Sequence, residues 1–180
     1  MALRNVEDFY PLSPMQQGML YHSLASSQPD TYCQQADLHL EGNLDQTALR
    51  AAWQSCVERH PILRTSFVWN RLDEPVQVVN RSVDLLIEFE DWRGLDERER
   101  EEHIQARLQD DRRKGFDLSK APLMRLDAIQ TGDSDWRLVW TYHHILLDGW
   151  SATRVLFEVF QFYEGFVLEP SHGENAAGGS

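Results

Sequence analysis

Cysteines, long apolar runs and an excess of basic residues are all scarce or absent in this chain. Cys33 and Cys56 are the two cysteines among its 180 residues, too few for a disulfide framework or a four-ligand zinc site. No stretch reaches the ~18 consecutive apolar residues of a membrane span, and the N-terminal residues lack the basic and then apolar pattern of a signal peptide. We therefore expect the protein to work in the reducing cytoplasm.

The balance of charge is strongly acidic. The chain has 17 lysine and arginine residues against 29 aspartate and glutamate residues, which gives a formal net charge of −12 at pH 7. A negative mean field repels nucleic acids and anionic membranes, so we expect neither as the main partner. A chain of this length buries roughly 70% of the surface that its unfolded form exposes, which is enough for a core without disulfides. The small, polar residues 171–180 predict a flexible tail or a remnant of cloning, so the folded part is expected at 1–170.

Hydrophobic periodicity predicts helices and strands in alternation. Helices are predicted at 14–24, 44–60, 95–114 and 151–166. Strands are predicted at 32–41, 64–69, 76–79, 85–90, 123–130 and 136–143, the last two joined as a hairpin. This order indicates an α/β sandwich in which helices cover a mixed β-sheet.

Ionisable side chains and a glycine cluster where the last predicted strand gives way to a helix. The letters HHILLDG place His143, His144, Asp148 and Gly149 at this junction, and such junctions carry the sites of many α/β proteins. If both histidines lie on the strand, their side chains point to opposite faces, so we expect no shared metal ion. One histidine would then face a cavity as a base, and polar partners would hold the other inside. The alternative is two satisfied core histidines followed by an Asp-Gly turn.

Ser151 follows this segment. The local letters GWSAT lack the second glycine of a G-x-S-x-G elbow, so we do not expect a nucleophilic serine. We expect Ser151 to cap the helix instead.

A second string, RHPILRTSF at 59–67, joins a predicted helix to a strand. Arg64 opens this apolar strand, and an arginine that enters the interior needs a carboxylate partner. We predict that this partner is Asp148.

Taken together, these strings resemble the condensation domains of nonribosomal peptide synthetases. The letters HHILLDG at 143–149 are similar to the HHxxxDG active-site motif of that family. Residues 59–67 resemble its RHxxLRTxF motif, and YPLSPMQQGMLYHSL at 10–24 resembles its N-terminal signature. Gly18 stands where many domains that accept an L-configured donor carry a basic residue, so the string is closer to the subtype that joins a D-configured donor to an L-configured acceptor.

The resemblance implies the chloramphenicol acetyltransferase-like fold, in which two similar lobes form a V around a substrate tunnel. The chain would supply the N-terminal lobe of such a domain, because the later family motifs have no match in it. The implied reaction is amide formation between donor and acceptor thioesters on upstream and downstream carrier proteins. Those carriers would deliver the phosphopantetheine arms, and the domain itself would bind no cofactor or metal.

The resemblance also implies a role for each residue of the motif. His144 takes the catalytic position, either as a general base or as a group that positions the amine and stabilises the transition state. Gly149 lets backbone approach the thioester, and its N–H is an oxyanion donor. His143, Asp148 and Arg64 support the site structurally.

Other functions fit parts of this pattern. An epimerisation domain shares HHxxxDG, and so do other acyltransferases of the superfamily. From a different class, the lobe could dock carrier proteins without turnover. We expect the isolated lobe to be inactive and to self-associate through the apolar face that its partner lobe normally covers.

Overall fold

A computed structural model describes residues 5–26, 28 and 30–168 of the chain. The predicted tail at 171–180 lies outside these residues. The described elements, in chain order, are β1 (Val6–Pro11), α1 (Pro14–Ala25), β2 (Cys33–Glu41), α2 (Gln46–Arg59), a short 3₁₀ helix (Pro61–Arg64), β3 (Thr65–Val68), β4 (Val76–Asn80), β5 (Ile87–Asp91), α3 (Glu97–Lys114), β6 (Met124–Gly132), β7 (Asp135–His143) and α4 (Gly149–Leu168).

The described strands form two sheets. The larger is mixed and has the order β2-β7-β6-β5, in which β7 runs antiparallel to both neighbours and β5 runs parallel to β6. The smaller is antiparallel, with the order β1-β4-β3. A mixed sheet covered by helices was predicted from the sequence, whereas the division into two sheets was not.

Strand β1 was missed because its letters carry little apolar periodicity. Five of its six residues are exposed, so no buried face marks it in the sequence. Its place in the sheet comes instead from backbone pairing with β4. The strand predicted to start at Arg64 starts one residue later, because Pro61 to Arg64 form the 3₁₀ turn.

The helices begin at side chains that satisfy their free N–H groups. At α1, Ser13 and Gln16 form a reciprocal capping box, as the letters SPMQ predict. Asp45 and Asp96 cap α2 and α3. Gly115 ends α3 with φ 56°, a left-handed conformation that glycine adopts at little cost. Within the described residues no helix is both long and apolar enough to cross a bilayer.

The core is centred on strand β7 and helix α2. Trp53 of α2 and Trp140 of β7 are fully buried and meet edge to face, with ring centroids 5.1 Å apart. Neither indole N–H has a hydrogen-bond partner among the described residues. The two rings therefore pack helix against sheet without a hydrogen bond from either indole.

Candidate active site

The end of β7 places the two histidines in different environments. His143 is the last residue of the strand and is 3% exposed. Its backbone N–H donates to the Leu123 carbonyl at 3.0 Å. His144 lies just beyond the strand and is partly exposed. The backbone N–H of His144 donates to the Tyr32 carbonyl at 2.8 Å. Opposite strand faces therefore do not account for their difference, because His143 alone belongs to the strand.

His143 uses both ring nitrogens inside the protein. Its Nδ1 accepts the Ile145 N–H at 3.1 Å, so the neutral ring carries its proton on Nε2. That Nε2 lies 3.4 Å from the Ser23 hydroxyl. Burial, with a smaller contribution from the charge of His144, lowers the pKa of His143 from 6.5 to about 4. His143 is therefore a neutral, hydrogen-bonded side chain at physiological pH.

His144 has the complementary arrangement, with one nitrogen held and one free. Its Nδ1 lies 2.8 Å from the Leu147 carbonyl oxygen. A carbonyl only accepts, so Nδ1 must carry a proton, and in the neutral ring the lone pair is therefore on Nε2. No described residue makes a hydrogen bond to Nε2. This nitrogen can accept a proton or a hydrogen bond from a molecule outside the fold.

Asp148 caps the helix that follows. Its carboxylate accepts the Ser151 N–H at 2.7 Å, and its carbonyl accepts the Ala152 N–H at 2.9 Å. The hydrogen bonds from Ser151 lower the pKa of this exposed carboxyl. The prediction that Ser151 caps α4 is therefore wrong, because Ser151 lies inside the first turn and Asp148 stands at the N-cap.

Gly149 is the first residue of α4. A Cβ built on it would meet no atom within 4 Å, so the fold itself does not require glycine here. Its N–H is one of the four at a helix start that have no partner within the helix. Gly149 thus leaves open space beside the positive end of the α4 dipole, close to His144 in the chain.

The predicted pair of Arg64 and Asp148 is wrong. Arg64 is 5% exposed and pairs with Glu7 of β1 at 2.6 Å. It also donates to the carbonyls of Val57, at 3.0 Å, and Asn80. No periodicity around Glu7 indicates a strand there, and Asp148 faces outward as a helix cap. Arg64 therefore joins α2, β4 and β1, away from the histidines.

Carboxylates approach one another at a second place, on β5 and β6. Oxygens of Glu88, Glu90 and Asp127 lie close enough to share a cation. The Arg107 guanidinium occupies that position, at 2.5, 3.1 and 2.6 Å from the three carboxylates. Since a guanidinium already neutralises this cluster, its geometry gives no ground for a metal site.

The comparisons with known proteins agree with the motifs. The family model described as "Condensation domain" matches residues 6–172. The chain belongs to the condensation domain family. A linear gramicidin synthase polypeptide of Brevibacillus parabrevis is 47% identical to it over 89% of the chain, and bacitracin synthase 3 of Bacillus licheniformis is 40% identical over 88%. The chain spans only 3% and 2% of the length of these two relatives.

Solved structures of condensation domains share the fold. The starter condensation domain of rhizomide synthetase RzmA superposes with a TM-score of 0.79 at 20% identity, covering 96% of this chain and 43% of that one. The predicted resemblance to synthetase condensation domains and the predicted fold class are both confirmed.

Sequence reasoning found the motif residues but missed the residues that hold them. The Ser23 hydroxyl of α1 contacts His143. The carbonyls of Tyr32 and Leu147 contact His144. A serine, a tyrosine or a backbone carbonyl has no sequence pattern that would identify it as a contact of these histidines. The strand pairing would have had to be known first.

Burial of neutral His143 predicts a dependence of stability on pH. The folded-state pKa, about 4, lies below the ordinary 6.5, so the unfolded chain binds the proton more readily. The contribution of His143 is complete above pH 6.5 and is lost as the pH falls toward 4. We expect a loss of about 2–4 kcal/mol in the free energy of unfolding over this range. Urea denaturation of wild type and His143→Gln measures it, and parallel pH curves for the two proteins would contradict the prediction.

The positions of Arg64 and Asp148 predict unequal effects of substitution. Arg64→Met should lower the free energy of unfolding by about 2–4 kcal/mol, because buried carbonyls lose their donor. Asp148→Asn should lower it far less, because asparagine also caps a helix and only the contribution of the charge is lost. Arg98→Met is the control, since Arg98 is 79% exposed and its ion pair is a long one, 3.6 Å to Glu102. Equal losses for Arg64→Met and Asp148→Asn in urea denaturation would instead support a direct pair.

Proposed function

We propose that this chain is the N-terminal lobe of a condensation domain that forms an amide bond between two carrier-bound thioesters. The observation that carries the proposal is the state of His144, whose Nδ1 is held by the Leu147 carbonyl while Nε2 is free of described partners. An α-ammonium group must lose a proton before it attacks a carbonyl. In the neutral form of His144, the fixed Nε2 supplies the acceptor that this chemistry needs.

In the proposed reaction, the amine of the acceptor attacks the thioester carbonyl of the donor. The C–N bond forms, the C–S bond breaks, and the thiol of the donor carrier leaves with a proton. His144 Nε2 receives the amine proton as a general base, or holds the amine by a hydrogen bond. The same atom serves in either role. The Gly149 N–H at the start of α4 would stabilise the negative oxygen of the tetrahedral intermediate.

The partners we propose are carrier proteins on both sides and the C-terminal lobe of the same domain. Each carrier would bring its substrate on a phosphopantetheine arm, so the lobe needs no bound cofactor of its own. The free thiols of Cys33 and Cys56 fit a reducing cytoplasm. We extend the proposal to the subtype that joins a D-configured donor to an L-configured acceptor, on the basis of the N-terminal string around Gly18.

A single lobe supplies half of the proposed tunnel. The RzmA condensation domain is covered over 43% of its length by this chain. Apolar side chains on α4 are exposed beside an open groove of about 880 Å³, with Trp150 83% and Phe157 66% exposed. Their exposure supports the proposal that a second lobe covers this face of α4. We therefore propose that the isolated chain is inactive.

The test is amide formation between two loaded carrier proteins. The complete condensation domain should make product, and the isolated chain should not. His144→Ala in the complete domain should lower kcat by about 10²–10⁴-fold, as loss of a general base does. His39→Ala is the matched control, because His39 lies on β2 with its side chain 55% exposed. Gly149→Ala should also lower kcat, while Gly165→Ala, which has equal room on the same helix, should not.

Other outcomes of this assay separate the alternatives. Inversion of an aminoacyl centre without condensation would indicate an epimerisation domain. Carrier binding without turnover by the complete domain would indicate a docking lobe. Product from the isolated chain would contradict the need for a second lobe.

The exposed apolar face also predicts the behaviour of the isolated chain in solution. Trp150 and Phe157 both lie on α4, and association of two copies would remove their side chains from water. We expect sedimentation velocity to show dimers or larger species that increase with concentration. Trp150→Ser should shift the distribution toward monomer. A strict monomer at every concentration would contradict the proposal.

A further inference from the structure

Tyr32 adopts a backbone conformation that is unusual for its residue type. It lies in the turn before β2, with φ 62°. The Cys33 N–H closes this turn on the Asp30 carbonyl at 2.9 Å, which places Tyr32 at the third of its four positions. Glycine or asparagine is favoured at a turn position with positive φ. Because positive φ is costly for a bulky residue, its presence here points to a structural or functional role for Tyr32.

The backbone of Tyr32 holds the backbone of His144. Cys33 lies opposite His143 in the β2–β7 ladder. The Tyr32 carbonyl accepts the His144 N–H at 2.8 Å, one step beyond the end of that ladder. The turn therefore fixes His144 although His144 belongs to no strand.

The side chain of Tyr32 lies between the first histidine and helix α1. Its ring centroid is 6.1 Å from that of His143. On the other side it stacks with His22 of α1, with centroids 6.4 Å apart and an interplanar angle of 22°. Its hydroxyl lies 3.1 Å from His22 Nδ1. Tyr32 thus contacts both histidines of the motif, one through its carbonyl and one through its ring.

We propose that Tyr32 is a positioning residue for the active site. It fixes the backbone of His144 through its carbonyl and is itself held in place by its ring against His143 and His22. This inference rests on the proposed condensation function. Tyr32 touches no reacting atom in it. Its effect reaches the substrate only through the place of the His144 imidazole.

The test compares Tyr32→Gly and Tyr32→Phe in the complete condensation domain. Glycine suits the turn but removes the ring, so we expect an intact fold with a kcat that falls by about 10²-fold, as a small misplacement of a catalytic group causes. KM should change little. Phenylalanine keeps the ring and should restore most of the wild-type kcat. Arg71→Gly is the matched control, because Arg71 also has a positive φ, of 64°, at an exposed turn.

A second measurement does not depend on turnover. In protein labelled with ¹⁵N at histidine, NMR reports which ring nitrogen of His144 carries the proton. We expect wild type and Tyr32→Phe to show the Nδ1–H form, and Tyr32→Gly to show a mixture of both forms. Unchanged ring signals together with an unchanged kcat in Tyr32→Gly would overturn the inference. Absence of condensation by the wild-type domain would overturn the proposed function instead, while a tautomer change in Tyr32→Gly would still support the positioning role.

Discussion

The pairing of β7 on both of its edges is the constraint on which the site depends. β2 and β6 hydrogen-bond to β7 along nearly its whole length, so the strand cannot slide without breaking two ladders. His143 ends this strand and inherits its fixed position. The short segment from His144 to Asp148 then has to reach the start of α4, and its freedom is correspondingly small. The register of the sheet thus determines where the backbone of the proposed catalytic residue, His144, is placed.

Much of the fold follows from local pattern. A period-two pattern marks β2, a continuous buried run marks β7, and helical spacing with a buried face marks α2. The capping box at Ser13 marks the start of α1. Strand β1 has no such face, because most of its side chains are exposed. Its contribution is a backbone ladder and one carboxylate, and neither has a periodicity that a single sequence displays.

The candidate site, like the fold, has features that the sequence predicts and features that it does not. The residues proposed to take part in the chemistry, His144 and Gly149, are visible in the motif. Their states are not visible, because the tautomer of His144 is decided by the Leu147 carbonyl and the neutrality of His143 by burial and Ile145. The partner of Arg64 was misjudged for a related reason. A buried guanidinium can be satisfied largely by backbone carbonyls, and the sequence pattern does not say which carbonyls will surround it.

The two indoles that pack α2 against β7 give the core a spectroscopic signal. Trp53 and Trp140 meet at 5.1 Å, and Tyr142 lies 4.5 Å from Trp140 on the way to the histidines. Aromatic rings held this closely at fixed angles couple their electronic transitions, and the resulting ellipticity in the near ultraviolet depends on that geometry. The near-ultraviolet circular dichroism of the unlabelled protein therefore reports on the packing of β7, the strand that leads into the candidate site.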